Sequence, residues 1–402
     1  RTIQIRSIRG VPTLVWLSAR GFYSFNLSTV EYISDEIEDL VNVNIQQASF
    51  SSGSHTDSTD AEFNSGTKTA GVVVGAGAVG QVYARHAQQG GADVTFFVRE
   101  KYRDQIARGL DLYPLNQGRR RRPEPVRFEA FSVMSRTGEV ATSRFDQVYL
   151  TVSSPALRGP WLAELIAAGG DATIVALQPG RDDRDTILAA GASADRLVSG
   201  MITLISYAAP LPGETRFARP GMAYWFPPMS PAPFSGPAER TAAVVALLRK
   251  GGLPAKRHPD VPRTVAFPTA ILMAYLVALE NAGWSFRTLA RDHIQLGARG
   301  AREGIAIVSH GEGRPPLGAR IVARPGILRL ALWFGRRAVP LPLEIYLKEH
   351  FTKVGDQTRL FMTDYIARGK QAGLSVTALE QLMATLPPLA QPHALPDARA
   401  AT

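Results

Sequence analysis

Apolar positions change their period along this chain. From residue 71 to about 200, short β-branched runs alternate with stretches of helical spacing. Residues 71–74 and 92–98 read as strands. Residues 78–89 read as a helix closed by Gly90-Gly91, glycine being the residue that suits a helix C-cap. Two further strand-like runs, 147–152 and 173–177, bracket a helical stretch over 161–168. This alternation predicts a parallel sheet, because parallel neighbours need a crossover connection. Past the proline-rich stretch 227–237, long helical patterns dominate: 238–250, 263–285, 289–309 and 343–369. A domain boundary is expected in that stretch. The expected divisions are a sheet-bearing domain over 69–235, an all-α domain over 236–390 and a tail over 391–402.

The first 70 residues differ in character. They hold four of the six asparagines, and five basic against eight acidic residues give them a charge of −3. A short acidic helix is expected over 31–40. Residues 49–69, rich in Ser, Thr, Asp and Gly, read as a linker. Residues 1–68 are therefore expected to be an atypical extension outside the fold.

Composition narrows the function. The chain has 402 residues, of which 45% are hydrophobic and 20% charged, enough apolar material for a large core. It has no cysteine, which excludes disulfide scaffolds, thiolate metal sites and cysteine nucleophiles. The longest apolar run, residues 264–279, is interrupted by Pro268 and is short of the roughly 20 residues of a membrane span, so a buried core helix is expected. Without a signal-peptide pattern at the start, a soluble cytoplasmic protein is expected. The net charge of +10 raises nucleic-acid binding, but the dense cluster 119–122 sits in a loop-like stretch with no aromatic-interleaved basic stripe, and no such partner is expected. No His, Asp or Glu group has metal-ligand spacing, so no metal site is expected.

The strongest chemical signal is Gly75-Ala76-Gly77-Ala78-Val79-Gly80, a G-x-G-x-x-G that follows an apolar strand and opens a helix. Gly75 permits the tight turn, Gly77 lets backbone approach a pyrophosphate, and Gly80 lets helix pack on strand. The helix N-terminus offers the anion unpaired N–H groups and a positive dipole end. The fold class is thus α/β, an N-terminal Rossmann-type dinucleotide-binding domain followed by an all-α C-terminal domain. NAD binders place an acidic residue at the end of the second strand; here Arg99 stands there, with Glu100 next to it. Arginine fits a ribose 2′-phosphate, so NADPH is preferred and NADH is the alternative. Ser153, just past the third strand, is expected to line the nicotinamide pocket.

Several stretches in order resemble the ketopantoate reductase family. They are Gly75–Gly80, Phe97-Val98-Arg99, residues 146–152, Leu177-Gln178-Pro179-Gly180, Gly200-Met201, Pro212-Gly213-Glu214 and Tyr365-Ile366-Ala367-Arg368-Gly369. The resemblance covers about residues 69–385. It implies a Rossmann domain and a helical domain with the active site between them, and NADPH-dependent reduction of 2-dehydropantoate to pantoate. It also implies that Gln178 lies in the cofactor site. Four polar positions depart from the family's pattern: Pro179 stands where asparagine is usual, Arg263 and Phe267 where lysine and asparagine are usual, and Arg359 where glutamate is usual.

Reduction of a ketone needs an electrophile on the carbonyl oxygen and a proton source. His350, Lys353 and Gln357 have i, i+3, i+7 spacing and share a face if 343–369 is one helix. Lys353 is the candidate proton donor, His350 a candidate relay, and Arg263 a candidate for binding a carboxylate or polarising the ketone. Trp284, Phe286 and the run 328–334 read as core or as an oligomer contact, so a homodimer is one expected assembly, with a membrane surface as a further reading of 328–334. The expected partner is a small keto substrate. The alternatives are a reductase of a bulkier ketone, or a catalytically inactive NADPH-sensing module.

Overall fold

The computed structural model describes residues 68–117 and 122–388, together with four N-terminal strands. The chain divides into two compact units. In the smaller, which comprises residues 1–68 and 227–230, strands β1 (Ile3–Ile8), β2 (Val11–Ser18), β3 (Gly21–Asn26) and β4 (Thr29–Tyr32) pair as an antiparallel meander. Each strand follows the last after two residues, the commonest hairpin spacing. The segment expected to lie outside the fold thus carries a sheet of its own. Of the expected helix 31–40, the first two residues belong to β4; the rest, most of the linker 49–69, the arginines 119–121 and the tail 391–402 lie outside the described residues.

The larger unit, residues 69–226 and 231–402, holds twelve strands among its described residues. Eight form one sheet: β5 (Ala70–Val74), β6 (Asp93–Phe97), β9 (Ser132–Met134), β10 (Gln147–Leu150), β11 (Thr173–Ala176), β12 (Leu197–Gly200), β15 (Ala232–Ser235) and β16 (Ala255–Arg257). Their order is β16-β15-β12-β11-β10-β5-β6-β9, and β12, β11, β10, β5, β6 and β9 run parallel. The central strands are apolar throughout because helices cover both faces. On one face Val73, Phe96, Tyr149 and Val175 meet Val82 and Tyr83 of helix Ala78–Gln89 and Val244 and Leu248 of helix Ala238–Lys250. On the other, Val72, Val74, Val148, Leu150 and Ile174 meet Leu162, Leu165 and Ile166 of helix Trp161–Ala168. Strands β7 (Leu110–Pro114), β8 (Val126–Phe128), β13 (Ile205–Ala209) and β14 (Gly221–Trp225) form a second, four-stranded sheet.

The main sheet continues past the proline-rich stretch. β15 lies within that stretch, pairs antiparallel with β12 and parallel with β16, and fully buries Phe234. A boundary at 235/236 therefore falls between two paired strands, and the helical layer begins with helix Val261–Asn281. That helix is long and apolar enough to cross a membrane, but twelve of its residues are buried, ten of them in the helical core. It packs against helix Ile294–Glu312 through Gly297, Gly300 and Gly304, where Tyr275, Ala274 and Ala270 come too close for side chains. That second helix starts later than its apolar period suggests, because residues 289–293 form a wide π turn.

The expected single helix 343–369 is two. Val354, with φ −115° and ψ 27°, leaves helical geometry at a Val-Gly pair of weak helix formers and separates Leu343–Lys353 from Gly355–Gln371. The i, i+3, i+7 face therefore does not exist. His350 stacks on Tyr346 at 5.4 Å and meets Phe351 edge-on at 4.8 Å. Burial, with the Lys353 ammonium second, pushes its pKa down to about 4. His350 is half-buried against these two rings, and the break at Val354 removes the shared helix face on which its expected relay role rested.

Two outcomes are expected. Phe234→Ala should cost about 3–5 kcal/mol in chemical denaturation, as for a core aromatic, where a linker residue would change stability by less than about 0.5 kcal/mol. The lowered pKa of His350 means that acid protonates the unfolded chain first. Its contribution is complete above about 6.5 and drains as pH falls toward about 4. Tm measured from neutral pH down to pH about 4 should therefore fall less steeply in His350→Phe than in the parent.

Candidate functional site

A parallel sheet places the loops that follow its strands along one edge, and the residues singled out from sequence gather there. Gly75–Gly80 follows β5, Arg99 follows β6, Ser153 follows β10 and Gln178 follows β11. The chain leaves β5 toward β6 on one side and β10 toward β11 on the other, so a crevice opens between β5 and β10, the usual ligand position in such sheets.

The glycines meet the distinct demands expected of them. Gly75 has φ +93°, a left-handed conformation that other residues resist. A side chain on Gly80 would strike the Gly75 carbonyl and stand 2.6 Å from Thr151 Oγ1, so helix Ala78–Gln89 can approach the strand only through glycine. Gly77 is the reverse case: nothing lies within 4 Å of where its Cβ would be. Gly77 caps the helix with backbone alone, and no acidic residue occupies the first turn. The result is an open cradle of N–H groups shaped for an anion. The Thr151 hydroxyl donates to the Val74 carbonyl at 2.7 Å, with the Gly75 carbonyl 3.0 Å away.

Gln178 laces two loops together, its Nε2 donating to the carbonyls of Leu150 and Val152, both at 2.9 Å. Its Oε1 is buried with no hydrogen-bond partner among the described residues. An unpaired acceptor at this edge is costly unless a ligand satisfies it. At the end of β6 the Arg99 guanidinium and the Lys101 ammonium lie 5.2 and 5.0 Å from the Tyr102 ring centroid. Glu100 is engaged elsewhere: Ser135 Oγ donates to it and Arg136 pairs with it at 4.0 Å. Ser153 precedes the turn Ser154–Arg158 without capping it through its side chain.

A buried group that sequence inspection passed over joins the sheet edge to the helical layer. Asp183 accepts from Ser154 Oγ at 2.6 Å and from the Gly180 amide at 2.8 Å, and Arg158 lies 3.8 Å away. Burial raises its pKa, against the opposing pull of those hydrogen bonds and of Arg158. The Ser154 amide in turn donates to Gln357 Oε1 at 3.0 Å, and Phe361 occupies the space where a side chain on Gly180 would go. The available signal was the aspartate three residues beyond a glycine at a strand end, a spacing that folds a carboxylate back onto the glycine amide. Arg181, next in sequence to Gly180, was also passed over. It is exposed, and its Nη2 lies 3.6 Å from where a side chain on Gly311 would begin.

The three candidate catalytic residues are not brought together as their spacing suggested. Arg263 is exposed at the start of helix Val261–Asn281, donating from Nη2 to the Glu312 carbonyl at 3.2 Å. Arg181 and Arg263 thus reach the same end of helix Ile294–Glu312. Lys353 is exposed at the end of its own helix, and His350 is half-buried against Tyr346 and Phe351. Of that polar face, Gln357 alone touches the sheet edge among the described residues. At the other departures, Phe267 is core and Arg359 pairs with Glu280 at 3.0 Å inside the helical layer.

Comparison with known proteins agrees with this architecture. Residues 72–230 match the family model described as ketopantoate reductase PanE/ApbA. No curated protein sequence matches the chain. Among solved structures, a 2-dehydropantoate 2-reductase from Geobacter metallireducens GS-15 superposes with a TM-score of 0.60 at 19% identity, covering 79% of this chain and 98% of that one. A PanE/ApbA family ketopantoate reductase from Ralstonia eutropha JMP134 gives 0.58 at 18% identity, over 79% and 96%. A D-mandelate dehydrogenase with NADH and anilino(oxo)acetate gives 0.56 at 13% identity, again over 79% and 96%. At these identities the likeness is one of fold, and the sequence match rests on the sheet-bearing part. Residues 72–230 thus resemble the ketopantoate reductase PanE/ApbA family, and the fold they belong to is shared with these solved structures.

Proposed function

We propose that the protein is an NADPH-dependent oxidoreductase that reduces a 2-oxo acid or related ketone, with 2-dehydropantoate as the default substrate. The observation that carries this reading is the cradle itself, open at Gly77 and closed at Gly80, beside an unpaired Gln178 oxygen. Gly75, Ala76, Gly77, Ala78, Val79 and Gly80 would hold the pyrophosphate of the dinucleotide on backbone N–H groups. Arg99, with Lys101 across the Tyr102 ring, would receive the ribose 2′-phosphate; the engagement of Glu100 with Ser135 and Arg136 favours NADPH over NADH. A bound nicotinamide supplies the hydride.

The chain's own residues have the remaining work. Arg181 and Arg263 grip the substrate carboxylate, a planar anion suited to guanidinium forks. Ser153, whose hydroxyl caps nothing, lines the pocket of the reacting carbonyl. Lys353 is the group able to release a proton to the developing alkoxide, which an arginine is too basic to do. Asp183 positions this edge through Ser154 and Gly180.

A second reading, a bulkier ketone, is favoured by two of the departures. Pro179 and Phe267 present no polar side chain where the family pattern has amides. The D-mandelate dehydrogenase structure with anilino(oxo)acetate offers an aromatic precedent among the structural neighbours.

The test is NADPH fluorescence titration, followed by 2-dehydropantoate and a panel of aliphatic and aromatic 2-oxo acids. Binding with oxidation is expected; binding without oxidation by any of the panel would favour the sensor, and no binding of NADPH or NADH would overturn the cradle. Arg99→Ala should weaken NADPH by roughly 10- to 100-fold while leaving NADH nearly unchanged, the loss of one charge-assisted contact. Arg181→Ala should raise KM for 2-oxo acids by about 10-fold or more with little change in kcat. Lys353→Ala should lower kcat by roughly 100-fold or more at unchanged NADPH affinity, and unchanged turnover would remove lysine from the mechanism.

A further inference from the structure

Four large apolar side chains are exposed among the described residues, and three of them, Leu317 (54%), Leu330 (44%) and Trp333 (53%), come from one short segment. That segment, residues 313–343, contains six arginines and no acidic residue. It folds as helix Leu317–Val322 and helix Pro325–Ala338, which pack on each other and on helix Ile294–Glu312. The second helix buries Ala331 and Gly335 and turns Leu330, Trp333 and Arg337 outward at i, i+3 and i+7. Arg337 lies 4.2 Å from the Trp333 ring centroid, so the apolar stripe carries its cation with it.

A second observation lies beside it. An open depression of about 510 Å³ is lined by Arg302, Arg314 and Arg320 together with Ile305, Ala306 and Gly313. None of these three guanidiniums has a hydrogen-bond or ion-pair partner among the described residues. Two of them belong to the same arginine-rich segment. The depression and the exposed stripe thus offer unpaired cations next to an apolar, tryptophan-bearing helix face.

We propose that residues 313–338, with Arg302, form a docking surface for an anionic lipid bilayer. Trp333, Leu330 and Leu317 enter the boundary between headgroups and acyl chains, and the arginine-lined depression receives a headgroup phosphate. The charge pattern selects this occupant. A second copy of the chain on a two-fold axis would set this arginine-rich, acid-free segment against itself. A bilayer bearing phosphates satisfies the cations and accepts the apolar face together, the arrangement of interfacial amphipathic helices. This surface does not involve the cofactor cradle, and it adjoins the end of helix Ile294–Glu312 where Arg181 and Arg263 arrive.

The experiment is co-sedimentation of the full chain with phosphatidylcholine vesicles and with vesicles containing about 30% phosphatidylglycerol, at low and high salt. Binding to the anionic vesicles at least about 10-fold tighter than to the neutral ones, and weakened by salt, is expected. Leu330→Ser with Trp333→Ser should reduce it by about 10-fold at unchanged Tm, and Arg314→Gln with Arg320→Gln should remove the preference for anionic vesicles. The arginine pair keeps the test decisive if the apolar pair lowers Tm. Failure of the parent to bind anionic vesicles overturns the proposal. So does binding undiminished in both variants, which would place the contact elsewhere on this basic chain. A parent that dimerises in solution and is made monomeric by Leu330→Ser with Trp333→Ser would assign the surface to a second copy instead.

Discussion

The close approach of Gly80 to the Gly75 carbonyl and Thr151 governs the sheet edge. A helix that leaves β5 through so tight a turn must lie almost against the strand, and a single Cβ at residue 80 would push it away. With glycine there, the first helical turn points its unpaired N–H groups into the crevice between β5 and β10. Thr151 holds the other wall by hydrogen-bonding to the end of β5. Gln178 then ties the loops after β10 and β11 together. The cradle, the arginine after β6 and the turn after β10 are consequences of one packing distance and a parallel register.

The helical layer is attached to that edge by few polar contacts, and they are well buried. Asp183 gathers Ser154, Gly180 and Arg158, and Ser154 passes the connection to Gln357. Burial of a carboxylate is unfavourable without such partners, and here two hydrogen bonds and a nearby guanidinium offset it. The same contacts put Phe361 over Gly180 and bring Arg181 to the end of helix Ile294–Glu312, where Arg263 also arrives. Cations there complement the negative end of the helix dipole when no ligand is present. The same placement leaves them available to a carboxylate.

The departures from the family's polar pattern have separate structural fates. Phe267 has become core, and Arg359 has found Glu280 within the helical layer. Pro179 remains at the sheet edge without a side chain able to hydrogen-bond. These positions thus serve packing, internal pairing or a bare edge, while the glycine loop after β5 keeps the geometry of an anion cradle.

The cradle was legible because it is local. Strand, three glycines and helix follow one another within some ten residues, and each glycine answers a backbone demand that no other residue meets. Alternation of strand and helix likewise implied a parallel sheet, which by itself brings Arg99, Ser153 and Gln178 to one edge. The catalytic face was not legible, because it assumed one continuous helix through Val354, and a face exists only while helical dihedrals persist. Strand β15 was hidden by prolines, whose missing donors matter only where the neighbouring strand needs them. The convergence of Asp183, through Ser154, with Gln357 joins residues more than 150 positions apart. Local residue chemistry determined the cofactor cradle and the sheet; long-range packing alone decided which charged side chains reach it, because periodicity along a chain carries no distance between elements.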